Sequence, residues 1–227
     1  LAAVSALHAL RETGTGQYID VCLLEAGVSL AVWEAGQYFA GGGVPRPLGS
    51  AHQNNAPYQA FRSADGWLTI GATSNRNWIA LCRALGLERL AEDPRYLDTN
   101  LRHRHRDTLV PALEAVTTTA PTAHWLAVVE AAGVPCAPIQ DFQEAFNDPH
   151  LLARDYFWEA PHPKLGTVRQ LGSPMRFSAT PVRRDRAGPM LGEHSAAVLS
   201  ELGYGADEVA DLIARRVVEG PPAEAGQ

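Results

Sequence analysis

A chain of 227 residues, 46% of them hydrophobic and 19% charged, has enough apolar material for one large core or two smaller ones. Its formal charge of −6 argues against broad electrostatic attachment to nucleic acid or an anionic membrane, while leaving room for a local basic pocket that takes an anion. Cys22, Cys82 and Cys136 are odd in number, far apart and without ligand-like spacing, so they read as reduced thiols of a cytoplasmic protein rather than a disulfide frame or zinc site.

The first element is a helix over "LAAVSALHAL", with Leu1, Val4 and Leu7 on one stripe, Arg11 in the last turn and Gly14 as the cap. It has an ending and no beginning: neither Met nor an N-cap residue precedes the apolar pattern, which predicts a fragment of a longer chain. "QYIDVCL" then has strand composition and "LEAGVSLAVWEAGQYF" helical spacing, together suggesting α/β layering. Asp20, Glu25 and Glu34 interrupt this apolar region, so it is no membrane span, and the start lacks the basic leader of a signal peptide. "AGGGVPRPLGSAHQNNAP" is a loop, its prolines forbidding long regular structure.

A hairpin follows, "PYQAFRS" and "WLTIGA" joined at Asp65-Gly66. Trp78, Leu81, Cys82 and Leu85 mark a helix face closed by Gly86; further helices run through Leu109, Leu113 and Val116 and through Trp125, Val128, Val129 and Ala132. "VPCAPIQ" reads as a short strand, and Asp141 with Glu144 as a capping box opening a short helix. Two strands are predicted around the Pro163 to Gly166 turn, then the linker "TPVRRDRAGPM". Two helices follow, the second presenting Val209, Leu212, Ile213 and Val217, and then a disordered tail over 219–227.

Little in this pattern nominates chemistry outright. In "RHRHRD", His103 and His105 are two apart on a helix and do not share a face, so the stretch reads as a solvated basic helix start and no metal site is assigned. "TGTGQ" follows a helix instead of opening one, "GGG" runs into Pro45, and no G-x-S-x-G elbow occurs. What remains is "RPLGSAHQNNAPY": Gly49 and Ser50 let a backbone approach a ligand while His52, Gln53, Asn54 and Asn55 supply donors and acceptors. Ordinary surface loops look similar. Ser74 in "GATSNRNW" is placed with these candidates, although an N-cap explains it equally simply.

Taken in order, "RETGTGQYIDVCLLEA", "GSAHQNNAPYQAFRSADGWLTIG", "LCRALGLERLAEDPRYLDTNLRHRHRDTL", "AAGVPCAPIQDFQEAFNDPHLLARDYF", "LGTVRQLGSPMRFS" and "LGEHSAAVLSELGY" resemble the class III CoA-transferases. That family includes formyl-CoA:oxalate and carnitine CoA-transferases and, as a branch, α-methylacyl-CoA racemases. The resemblance implies an α/β fold in which a Rossmann-like large domain, incomplete here, is built from both chain ends around a small α+β domain. Family members form interlocked dimers, so a homodimer is implied for the full-length protein. On this mapping residues 1–40 (helix, strand, helix) and 185–218 belong to the large domain, 41–56 form a linker or active-site loop, 57–148 the small domain, and 149–184 linking strands.

The resemblance also implies a mechanism. A carboxylate attacks the acyl-CoA thioester to give a mixed anhydride, CoA thiolate returns to give an enzyme-bound thioester, and an acceptor acid repeats the cycle in reverse. The catalytic aspartate lies just before the helix that matches "LAAVSALHAL", so it is expected upstream of Leu1; no catalytic residue is assigned in this chain, and Asp20 is not a substitute. CoA is then a substrate rather than a resident cofactor, and the partners are an acyl-CoA and a small carboxylic acid. "PLGSAHQNNAP" matches the mobile shielding loop of the oxalate enzymes but lacks their glycine run, which implies an acceptor other than oxalate. The racemase branch needs an acid after "WLTIGA", where Thr73, Ser74 and Asn75 stand instead, so racemization is the weaker alternative. A non-catalytic, truncated or split subunit is the other, and the fragment alone is expected to be inactive.

Overall fold

The computed structural model describes residues 1–221, and its contacts divide the chain into two units, Leu1–Ile139 and the residues from Gln140 on. The first unit begins with α1 (Ala2–Thr13), ended as its sequence requires by Gly14, whose φ of 71° lets its N–H reach the Leu10 carbonyl. The single helix expected next is two, α2 (Leu23–Ser29) and α3 (Val32–Phe39). The ladder breaks because the Ser29 hydroxyl takes the Ala26 carbonyl at 2.7 Å, and the N–H groups of Leu30 and Ala31 turn back three residues to Gly27 and Val28. "QYIDVCL" is not a strand. A strand needs a neighbour for its N–H and C=O groups, and no described segment pairs with these residues. None of the residues of α1, α2 or α3 is buried; Trp33 is 73% exposed and Phe39 82%.

Packing starts beyond the loop. β1 (Tyr58–Arg62) and β2 (Trp67–Gly71) form the expected antiparallel hairpin, in register from Tyr58 opposite Gly71 to Arg62 opposite Trp67. Helices α4 (Asn75–Ala84), α5 (Glu88–Glu92), α6 (Thr99–Arg104), α7 (Arg106–Thr117) and α8 (Thr122–Ala131) follow, and β3 (Cys136–Pro138) adds to β2, giving the order β1-β2-β3. Phe61, Leu68 and Ile70 from the sheet meet Trp78, Leu81, Leu109, Leu113 and Val129 from the helices in one core, all at or within 1% of complete burial. The periodic positions read from the sequence are those that pack here.

The second unit opens with the capping box: Asp141 accepts the Glu144 N–H at 2.8 Å and Glu144 accepts the Asp141 N–H at 2.9 Å, starting α9 (Phe142–Phe146). After α10 (Pro149–Ala153), β4 (Phe157–His162) and β5 (Gly166–Leu171) pair antiparallel from Phe157 opposite Leu171 to His162 opposite Gly166, as expected around that turn. Residues 180–190 carry no regular structure, and α11 (Ser195–Glu201) and α12 (Ala206–Ala214) follow. Among the described residues of this unit only Ala160 and Val209 are buried. Of the tail expected to be disordered, 219–221 have no regular structure and 222–227 lie outside the described residues. No helix among the described residues is long and apolar enough to cross a membrane.

Candidate functional site

The loop before β1 is organised by its own polar side chains. Gly49 sits at φ 62° with open space where a side chain would be, and Ala51 donates back to the Leu48 carbonyl. The Ser50 hydroxyl accepts the Ala60 N–H at 3.2 Å, fixing the turn to β1. His52 donates its N–H to the Tyr58 carbonyl and stacks its ring on Tyr58, with centroids 5.2 Å apart. The imidazole Nδ1 accepts the Asn54 N–H at 3.0 Å and lies 3.3 Å from the Asn55 amide nitrogen, which is therefore a second donor. Asn55 Oδ1 accepts the Thr99 hydroxyl at 3.3 Å, tying the loop to α6. Ser50, His52 and Asn55 thus spend polar atoms on holding the loop in shape.

Both ends of the candidate region meet on a residue that the sequence reading assigns to a solvated helix start. Arg102 is completely buried. Its Nε donates to the Ala56 carbonyl at 2.9 Å, Nη1 to the Tyr96 carbonyl at 3.0 Å and to Asn75 Oδ1 at 3.1 Å, and Nη2 to the Thr73 carbonyl at 3.0 Å. The guanidinium also lies 5.4 Å from the centroid of the Trp78 ring. Burial lowers its pKa and the nearby Asp98 carboxylate partly restores it, and an arginine remains charged under such shifts. One guanidinium therefore clamps the end of the loop at Ala56 to the turn at Thr73. Ser74, one residue further on, accepts the Asn77 N–H at 3.1 Å and caps α4; its hydroxyl is committed to the helix, and it does not join the loop residues.

Gly49 and Gln53 line a cleft of about 640 Å³ together with Arg46, Pro47, His103 and Arg106. Asn54 lines an adjoining one of about 550 Å³ with Asn100, Arg104 and again His103 and Arg106. The basic stretch "RHRHRD" is thus a wall of the clefts and not a free helix start: Arg102 faces the core and His103 is half-buried. His103 Nε2 lies 3.3 Å from Arg106 Nη1. Burial, then the charge of Arg106, pushes the His103 pKa below its ordinary value, against the smaller upward effect of the Gln53 carbonyl. Among the described residues no cluster of three His, Cys, Asp or Glu side chains is placed to hold a metal.

The family profile described as CoA-transferase family III matches residues 1–195. Among curated proteins, the chain is 33% identical to a mouse (Mus musculus) succinyl-CoA:glutarate CoA-transferase over 91% of its own length and 48% of that protein's. It is 34% identical to an acetyl-CoA:oxalate CoA-transferase of Acetobacter aceti over 87% of its length and 50% of that protein's. The chain therefore spans about half the length of the curated relatives it matches. A crystal structure of a CaiB/BaiF family protein from Brucella suis superimposes with a TM-score of 0.74 at 33% identity, covering 88% of this chain and 52% of that one. Rv3272 from Mycobacterium tuberculosis, at 21% identity and a TM-score of 0.72 over 86% of this chain and 51% of that one, shares the fold.

Proposed function

Because the chain belongs to CoA-transferase family III, we propose that it is the C-terminal portion of an enzyme that moves CoA from a thioester donor to a carboxylic acid, using a carboxylate nucleophile supplied upstream of Leu1. The observation that carries this reading is the family match over residues 1–195, in a chain that spans about half of each curated relative. A second feature agrees with it: the apolar stripes of α1, α2 and α3 are wholly unburied, as expected of elements whose packing partners belong to the rest of a large domain. In the complete protein that large domain is Rossmann-like and the enzyme works as a homodimer in the cytoplasm.

The reaction divides one exchange into steps that each make and break a single acyl bond. The aspartate carboxylate attacks the thioester carbonyl and expels CoA thiolate, leaving a mixed anhydride; the thiolate attacks the aspartyl carbonyl and releases the donor acid, leaving an aspartyl-CoA thioester. The acceptor carboxylate enters by the reverse sequence. Each tetrahedral intermediate needs oriented donors and protection from water, and the loop Gly49–Asn55 supplies backbone access at Gly49 and amide groups at Gln53 and Asn54. The relatives' names specify glutarate and oxalate as acids, and other relatives' names specify mesaconate and D-citramalate. All carry two carboxylates, and the acceptor here is of that class. Ser74 stands after "WLTIGA" as a helix cap with no carboxylate to move an α-proton, which disfavours the racemase alternative.

The test is to express the chain with the segment encoded upstream of it and assay CoA exchange between acyl-CoA thioesters and a panel of mono- and dicarboxylic acids. Exchange by the longer protein, with none by the 227-residue chain, is expected. Absence of exchange across the panel, or turnover by the short chain alone, overturns the reading.

A further inference from the structure

Arg106, at the start of α7, borders both clefts described above and a third of about 450 Å³ beside Pro47, Gln59 and Val110. Its charge is nearly unspent. The nearest carboxylate, on Asp107, is 3.9 Å from Nε and belongs to a side chain 97% exposed, a pairing that water largely screens. Apart from His103, no hydrogen-bond partner among the described residues reaches its guanidinium.

The contact with His103 has a definite chemistry. A guanidinium only donates, so the His103 Nε2 that it meets at 3.3 Å is the bare nitrogen, and the ring proton sits on Nδ1. The imidazole is uncharged, in keeping with its burial and with the adjacent Arg106. An uncharged acceptor fixes one arm of the guanidinium without cancelling its charge. The charged side chains lining the 640 Å³ cleft are then Arg46 and Arg106 against Glu34, leaving one net positive charge. That balance suits a single carboxylate better than a dianionic phosphate.

We propose that Arg106, held in place by His103, binds the non-reacting carboxylate of a dicarboxylic acid acceptor. The inference rests on the transferase reading for the identity of the second, reacting carboxylate, but not for the binding itself. A dicarboxylate that presents one end for acyl exchange must keep the other ionised, and a carboxylate taken out of water needs a paired donor. Arg106 supplies a fork of N–H groups for that purpose, and Gln53 borders the same cleft with an amide.

The experiment uses the protein completed with its upstream segment, as wild type, Arg106→Gln and Arg106→Lys. Binding of glutarate, of pentanoate, which matches its length but lacks the second carboxylate, and of free CoA is measured by calorimetry. CoA exchange from butyryl-CoA to each acid is measured in parallel. Arg106→Gln is expected to lower the preference for glutarate over pentanoate by about 10- to 100-fold, in binding and in kcat/KM, the size of a lost hydrogen-bonded charge. Arg106→Lys, which keeps the charge and loses the fork, falls between, and the Kd of CoA moves less than about two-fold by the same conversion of contacts to affinity. The proposal is overturned if the glutarate-to-pentanoate preference is unchanged in both variants, or if the loss appears in CoA affinity, which would make this a phosphate site. Arg106-dependent glutarate binding by a wild type that exchanges no CoA would keep the site and discard the transferase reading.

Discussion

Replacing Arg102 with Met keeps the length and apolar stem of the side chain while removing its donors, which isolates what the guanidinium does. Four hydrogen bonds of 2.9–3.1 Å are lost, and the carbonyls of Ala56, Tyr96 and Thr73 have no other donor among the described residues. Each carbonyl stranded in a buried site costs about 1–3 kcal/mol, and relief of the guanidinium's own desolvation offsets part of the sum. Taking the lower figure for the three gives a loss of about 3 kcal/mol. With a urea dependence of about 2–3 kcal/mol/M for a protein of this size, the midpoint should fall by roughly 1 M without a change in slope. Amide exchange locates the damage: the Ala72 N–H, bonded to the Pro57 carbonyl at 2.9 Å, should lose protection before the N–H groups in the middle of α8. A buried ion pair can sometimes be exchanged for apolar residues at no loss, but there both partners are removed; here the carbonyls remain. A midpoint shift below about 0.3 M for Arg102→Met would refute this reasoning, because it would mean that water or a backbone shift satisfies all three.

Ser74→Ala should destabilise the protein by about 1 kcal/mol through loss of the α4 cap, seen in a denaturant midpoint, with no change in the KM of any acceptor acid. His103 carries a pH dependence whose sign follows from its lowered pKa: the folded protein binds fewer protons than the unfolded chain below about pH 6.5. Its contribution is therefore complete above that value and declines as pH falls through the window down to the folded-state pKa. The protonated ring would face Arg106 and His52, so the acceptor KM should rise in the same window; His103→Gln should flatten that limb of the KM profile. Asp93, held at about 2 by Arg95, contributes stability that is present above pH 3.8 and disappears as pH drops toward 2, so Asp93→Asn should be less stable than the wild type above pH 3.8 and the difference between the two should close toward pH 2.

The hairpin, the faces of α4, α7 and α8, the capping box and the β4–β5 pair are legible because each is set by neighbours in sequence: a turn dipeptide, an apolar period, a cap three residues from its partner. The candidate loop is legible as a polar, glycine-containing insertion, and Gly49 and Gln53 of that loop line a cleft. The division of labour inside it is not. Whether Ser50 or His52 bonds a ligand or its own loop depends on where Ala60 and Tyr58 come to rest, which no local pattern specifies. Arg102 is not legible as a buried residue, because its type and its basic neighbours suggest solvent. Arg102 lies in α6, a separate element from the α7 face that carries Leu109, and four acceptors drawn from three other segments outweigh the cost of burying its charge, an arrangement that no local pattern specifies.

Burial is unevenly distributed within the first unit. From Ala56 onward a core closes around β1, β2 and their helices, and the two arginines of α6 and α7 divide two tasks between them: Arg102, satisfied on every side, gives the loop a rigid base, while Arg106, four residues later, is left with its charge largely free beside the cleft. Before Ala56 no residue is buried, although Leu24, Trp33 and Phe39 offer as much apolar surface as the core residues do. At about 25 cal/mol per Å² such surface gains stability only when something covers it. The loop runs between these two regimes: its Ala56 end is bonded to the buried Arg102, whereas its Gly41 end is bonded, among the described residues, only to α3, none of whose residues is buried. A loop bonded at one end to a packed core and at the other to an unpacked helix moves with that helix, so covering α1, α2 and α3 should restrict the loop as well as stabilise the helices. In the completed protein, amide protection at Ala26, whose N–H is bonded to the Cys22 carbonyl, and at Ala51 should therefore rise together relative to the 227-residue chain; protection at Ala26 with Ala51 unchanged would separate the loop from the helices that precede it.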